Sequence, residues 1–176
     1  MLTSPDHDPA DTLVRTHADL VYRTALRLVR DADDAADVTQ DALVRIWKKG
    51  GAVDADKQRA WCARVARNAA LDFLRRRAVR PQTAHALTPE ATCAAPLPDA
   101  SVDATFTREA LDAAVAGLEE PYRSLVVLRD VEGLSYREVA EALDLPLNTM
   151  KVYLHRARRS LRDALRPAAR DLALLP

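Results

Sequence analysis

The 25 residues 135-SYREVAEALDLPLNTMKVYLHRARR-159 decide the fold. Ser135 and Glu138 stand at the Ser-x-x-Glu spacing of a capping box, in which the two side chains satisfy free amides at a helix start. Val139, Ala140 and Leu143 then give a short helix one apolar face, and Ala140 is small enough for two helices to cross closely. Asp144-Leu145-Pro146 is the turn. Asp144 tolerates a left-handed backbone better than most residues, and Pro146 suits the entry to a helix. The following helix carries Met150, Leu154, Ala157, Leu161 and Leu165 on one side, the spacing of a buried stripe. Lys151, His155, Arg158 and Arg162 face away from that stripe, with Val152, Arg156 and Arg159 beside them. An apolar stripe on a partner helix and an exposed, basic N-terminal half predict a helix-turn-helix whose second helix enters a DNA major groove.

Working outward, the rest of the chain is also helical in pattern. Aromatic residues are only 5% of the 176 residues, so the cores rely on Leu, Val and Ala, which favours helix packing over a sheet sandwich. Residues 12–30 repeat Leu13, Val14, Leu20, Val21, Ala25, Leu28 and Val29 on one face. Residues 32–48 place Val38, Ala42, Leu43, Ile46 and Trp47 inward and Asp33, Asp34, Asp37, Gln40 and Asp41 outward, and Gly50-Gly51 ends the pattern. Residues 56–77 place Trp61, Cys62, Val65, Ala66, Ala69 and Phe73 inward. Further helices are predicted over 105–118, 121–131, 135–142 and 147–166. Between the two halves, residues 81–104 hold four prolines and no Lys or Arg. Such a stretch buries too little apolar surface to offset its ordering entropy. The expected architecture is all-α: two small helical domains, residues 10–80 and 105–168, joined by a flexible linker over 81–104.

Formal net charge is +0, but the charges are segregated. Residues 57–80 carry eight cations against Asp72 alone, residues 148–166 carry six against Asp163 alone, and residues 31–41 carry five Asp and no cation. Two basic patches and one acidic patch suggest more than one kind of partner. Arg supplies 22 of the 26 cations, and Arg is the better bidentate phosphate ligand. The two cysteines, Cys62 and Cys93, give neither zinc spacing nor a disulfide framework. His7, His17, His85 and His155 are scattered, and no nucleophile–base pair or Gly-rich phosphate loop occurs, which argues against an enzyme. Asp31, Asp33 and Asp34 lack the Gly and closing Glu of a calcium loop. No metal or cofactor is expected. The polar start is unlike a signal peptide, and no apolar run approaches membrane-spanning length, so a cytoplasmic protein without membrane insertion is expected. A regulator with an N-terminal sensor and a C-terminal helix-turn-helix is a rival reading of these patterns; it predicts no role for Asp37 or Gln40.

Three segments together resemble one family. Residues 118–143 with 148–159 are similar to region 4 of the extracytoplasmic-function (ECF) sigma factors of the sigma-70 superfamily. Residues 33–47 resemble their region 2.2, and residues 60–77 their regions 2.3 and 2.4. The motifs stand in family order around a variable linker and cover most of residues 12–166.

The resemblance implies a sigma factor that directs core RNA polymerase to promoters and helps open the −10 region, catalysing nothing itself. Its partners are then core polymerase, through the β′ coiled coil and the β flap, promoter DNA, and an anti-sigma protein. Asp37, Gln40 and Asp41 match the surface that docks on the β′ coiled coil. Arg64, Arg67, Asn68, Arg75 and Arg76 match the helix along the −10 element, which must hold the displaced strand to offset unstacking. Trp61 there is either a stacking wedge or core, and Asn68 either a contact or structural. The loop 49–57 matches the base-capturing loop, with Val53 and Asp54 at its positions, but it is short and has no aromatic residue. Lys151, Val152, His155 and Arg156 match positions that face the −35 element, with Thr149 and Arg158 at the backbone. Val152 and Tyr153 stand where the family often has Ser and Arg, and Asp144 replaces the commoner turn Gly.

Overall fold

The computed structural model describes the backbone of residues 9–79 and 102–172 and the side chains of 9–79 and 108–166. Most of the linker expected over 81–104, and Cys93 in it, lie outside the described residues; 102–104 already belong to a helix. The elements are α1 Pro9–Val29, α2 Ala32–Lys49, α3 Gln58–Val79, α4 Val102–Ala116, α5 Tyr122–Val126, α6 Tyr136–Leu143 and α7 Leu147–Leu172. Two short 3-10 turns, Gly50–Ala52 and Ala55–Lys57, join α2 to α3. There is no strand among the described residues.

Helices α1, α2 and α3 form the first bundle. Arg30 takes a left-handed backbone (φ 65), and its amide still reaches the Leu26 carbonyl at 2.8 Å. Asp31 then caps α2, its carboxylate accepting from the Asp34 amide at 2.9 Å. The chain therefore reverses in two residues, and α1 and α2 lie antiparallel. Leu13, Val21, Ala25 and Leu28 of α1 meet Ala35, Val38, Ala42 and Ile46 of α2 and Cys62, Ala66 and Ala69 of α3 in one core. Gly50 is needed where α2 ends, since a Cβ there would collide with the buried Leu13 side chain.

Helices α4 to α7 form the second bundle around Leu125, Leu128, Leu134, Val139, Leu143, Met150 and Leu154. The helix expected over 121–131 divides. After α5, Val127–Val131 winds as a π turn, closed by the Glu132 amide on the Val127 carbonyl at 2.9 Å. One bundle alone does not bury five consecutive residues of a helix, yet Ser124 to Leu128 are all buried. Leu125 and Leu128 enter the second core, while Val126 and Val127 reach the first. Thus α5 lies in the seam between the bundles. Gly133 follows in a left-handed backbone (φ 68) that returns the chain towards α6.

The capping box forms as expected: the Glu138 amide donates to Ser135 Oγ at 3.2 Å, and the Ser135 amide donates to Glu138 Oε2 at 2.7 Å. Burial works to raise the Glu138 pKa, but the Ser135 hydroxyl and amide and the nearby Arg59 more than offset it, and the carboxyl is held below its ordinary value. A lowered carboxylate stabilises the fold above its unfolded pKa and loses that contribution as pH falls through the folded value. Ser135→Ala is expected to cost about 1 kcal/mol, read as a lower denaturant midpoint. Asp144 ends α6 in the left-handed region (φ 55, ψ 45), as its tolerance of that backbone predicts.

One packing expectation fails, and a second holds only in part. Trp47 is 54% exposed, not inward. Val38, Ala42 and Ile46 follow a four-residue step into the core, and position 47 lies a further ~100° round the helix. In α3 the buried residues are mostly alanine, and Trp61, Val65 and Phe73 are only half-buried. That helix is covered on two sides: Cys62, Ala66 and Ala69 join the first core and Ala63 the second. A helix between two layers keeps small side chains all round and lacks a single apolar stripe.

Candidate nucleic-acid interface and docking face

The basic face of α7 stands clear of the protein. Met150, Leu154 and Ala157 are at most 3% exposed and fix the helix. Tyr153 turns inward, its ring edge-on to Tyr122 at 5.7 Å between centroids. Lys151, Val152, His155 and Arg156 are exposed, and Thr149 is half-buried at the helix start. Val152 is an apolar side chain on a basic face, the kind of group that meets a thymine methyl in a major groove. Arg158 differs from its neighbours. Its Nε donates to Asp130 Oδ2 at 3.0 Å, and a second nitrogen pairs with the other carboxylate oxygen. Those bonds hold its pKa well above the ordinary arginine value and brace α7 against the π turn.

The candidates on α3 divide between two faces. Asn68, Arg75 and Arg76 are exposed; Asn68 Oδ1 accepts from Arg67 at 3.1 Å and Arg75 pairs with Asp72 at 3.3 Å. Arg64 and Arg67 instead turn into the seam with the second bundle. Arg64 donates to the Glu141 carbonyl at the end of α6. Arg67 donates to Ser124 Oγ at 3.2 Å and faces Glu120 at 3.7 Å. Trp61 packs half-buried against the first core, close to Gly50. In the loop before α3, Val53 is half-buried and its carbonyl accepts from Gln58 at 3.4 Å. Asp54 is exposed and bonded to Lys57 at 2.8 Å, a contact that holds the Asp54 carboxyl below its ordinary pKa.

On α2, Asp37, Gln40 and Asp41 are exposed together on one face. Asp34 lies to one side of them and is half-buried beneath an ion pair with Arg77 at the end of α3. An apolar groove of about 470 Å³ runs beside this face between α1 and α2. Val14, Tyr22, Leu43, Val44 and Trp47 line it, and Gln40 stands at its edge. Val44 is 46% exposed and Tyr22 37%. Sequence periodicity assigned Trp47 to the core and so missed this groove. It also missed Glu120, Asp130 and Glu132, whose partners lie far away in the chain.

Cys62 is fully buried, and desolvation pushes its thiol up to about 12. A thiol with that pKa forms almost no nucleophilic thiolate at neutral pH. Folded protein is expected to resist iodoacetamide at Cys62, with modification appearing only in denaturant, as peptide mass mapping would show. Among the described residues no cluster of His, Cys, Asp and Glu could hold a metal ion, and no helix is long and apolar enough to cross a membrane.

These surfaces define a class: an all-α protein with two basic helices on separate bundles and an acidic, partly apolar face on α2. Comparison with known proteins gives the family. Residues 13–80 match the model of sigma-70 region 2, and residues 108–161 that of sigma-70 region 4. The chain is 37% identical over 164 residues to an RNA polymerase sigma-E factor of Streptomyces avermitilis, covering 90% of this chain and 85% of that protein. It is 35% identical over 156 residues to the ECF RNA polymerase sigma factor SigE of Mycolicibacterium smegmatis, covering 88% of this chain and spanning 61% of that longer relative. The fold is shared with the sigma factor RpoE of Bartonella quintana, solved with the anti-sigma factor NepR, at a TM-score of 0.69 and 24% identity, over 88% of this chain and 95% of that one. It is shared also with CnrH, solved with the cytosolic domain of CnrY, at a TM-score of 0.65 and 23% identity, over 90% and 88% of the two chains. The chain belongs to the ECF RNA polymerase sigma factors of the sigma-70 family.

Proposed function

We propose that the chain docks on core RNA polymerase through α2, sets α3 along the −10 element and α7 in the major groove of the −35 element, and helps open the duplex at −10. The observation that carries this reading is the separation of three exposed faces, one acidic on α2 and two basic on α3 and α7, on a chain that matches both sigma regions. Asp37, Gln40 and Asp41 offer carboxylates and an amide to a basic helix of the β′ coiled coil, and the groove from Val14 to Trp47 accepts apolar side chains of the same helix. The second bundle meets the β flap. Lys151, Val152, His155 and Arg156 read base edges, while Thr149 and Arg158 contact the phosphate backbone. On α3, Asn68, Arg75 and Arg76 hold the displaced strand, joined by Arg64 and Arg67. Val53 and Asp54 border the captured base, with Trp61 beneath them as a support.

Residues 10–80 and 105–168 act as separate promoter-binding units, one for each promoter element. The chain catalyses no reaction; polymerase supplies the chemistry. It works in the cytoplasm, where polymerase and the promoter are, and an anti-sigma protein, of the kind solved with RpoE, is its inhibitor. Co-purification tests the reading: tagged full chain mixed with core polymerase is expected to elute as one complex at moderate salt. Elution as two separate species would reject it.

A further inference from the structure

The outermost line of α7 runs through Asn148 and Val152. Met150 and Leu154 are buried, and at about 100° per residue Val152 lies about 160° round the helix from each of them. Asn148 stands one turn before Val152 on that line, and His155, Arg156 and Arg159 follow. All five are exposed. Val152 is the one apolar side chain among them, and it is 50% exposed. A β-branched side chain in a helix keeps essentially one rotamer, so its methyls hold a fixed place. The Asn148 amide takes no hydrogen bond from any described group. Asn148 is the second residue of α7, not its cap. Neither the helix nor the bundle core therefore accounts for these two residues.

We infer that Asn148 and Val152 act as a pair that reads adenine and thymine in the −35 element, Asn148 on an adenine edge and Val152 on a thymine methyl. In a major groove adenine sets an acceptor, N7, beside a donor, N6. One Asn amide matches both: its NH2 donates to N7 and its Oδ1 accepts from N6. The thymine C5-methyl is the apolar group on the groove floor, and Val152 is the apolar group facing it. Four helical residues rise about 6 Å, and base pairs stack about 3.4 Å apart, so the two contacts fall within about two base pairs. Lys151, Arg156 and Arg159 flank the pair with positive charge. The inference rests on the proposed placement of α7 in the −35 major groove, and adds to it a residue, Asn148, and a class of base.

Base analogues test it, in transcription by limiting holoenzyme reconstituted from core polymerase and the full chain. The template is a genomic promoter fragment recovered by run-off transcription. One −35 position at a time carries 7-deazaadenine for adenine, which removes N7, or deoxyuridine for thymine, which removes the methyl. Wild-type transcription is expected to fall at least about fivefold at one deazaadenine and about fourfold at one deoxyuridine, with the two positions within two base pairs of each other. Asn148→Ala should lose the first sensitivity alone and Val152→Ser the second alone. Both variants should melt as the wild type does, since both positions are exposed. Wild-type indifference to every analogue, a sensitivity that survives its variant, or two positions farther apart overturns the inference. In each of those cases the placement of α7 still stands if natural base changes in the −35 element reduce transcription. Equal transcription from every −35 variant rejects that placement, and the inference with it.

Discussion

Reversing one charge on α2, by Asp37→Arg, is expected to abolish association with core polymerase and promoter-directed transcription with it. Asp37 is exposed beside Gln40 and Asp41, and no other described side chain depends on it for a hydrogen bond. The substitution should therefore leave the melting curve of the free protein within about 0.5 kcal/mol of wild type. At an interface the balance is different. Removing one partner of a close charge pair costs about 2–5 kcal/mol, and an arginine in its place adds repulsion against a basic helix. Affinity should fall at least about thirtyfold. Trp47→Ala, at the far end of the groove, is expected to weaken docking through lost apolar contact and to leave the salt dependence of binding unchanged. Quantitative co-purification at two salt concentrations reads both effects. Wild-type affinity in Asp37→Arg would remove α2 from the docking face.

The second large effect is expected on α7. Arg156→Ala should weaken recognition of the −35 element by about 1–3 kcal/mol, or about five- to 150-fold, and relax base preference at one position, because a base-edge contact carries sequence information. Arg158→Ala should act differently. It loses a backbone contact shared by all promoters, so transcription should fall about evenly across −35 sequences. It also removes the brace to Asp130, worth under about 1 kcal/mol for a pair so exposed. Transcription by reconstituted holoenzyme from promoters differing singly in the −35 element separates the two patterns. Equal losses for Arg156→Ala at every promoter would show that it contacts phosphate.

The helices were legible in the sequence wherever one face alone is buried. The Leu and Val spacing of α1 and the Met150–Leu154–Ala157 stripe of α7 read directly, and the capping box at Ser135 marked the start of α6. The reading failed where a segment meets two layers at once. Ser124 to Leu128 show no helical period because both cores claim them, and the π turn is how the backbone serves both. Trp47 looked like core because a large aromatic near an apolar repeat usually is; only the geometry of α2 exposes it. The arginines of α3 are visible as charge, but their division between the exposed side and the seam depends on acceptors far along the chain: the Glu138 carboxylate, the Glu141 carbonyl and the Ser124 hydroxyl. No local pattern reports such pairs. For the candidate surfaces, residue type was therefore readable, and accessibility was not.

The most direct measurement is run-off transcription by core polymerase reconstituted with the full chain on a library of genomic promoter fragments. The expected result is a set of discrete transcripts that core polymerase alone does not make, each preceded by a shared pair of sequence elements at −35 and −10 spacing, and lost with Asp37→Arg. Transcripts identical with and without the chain would contradict its assignment as the promoter-reading subunit.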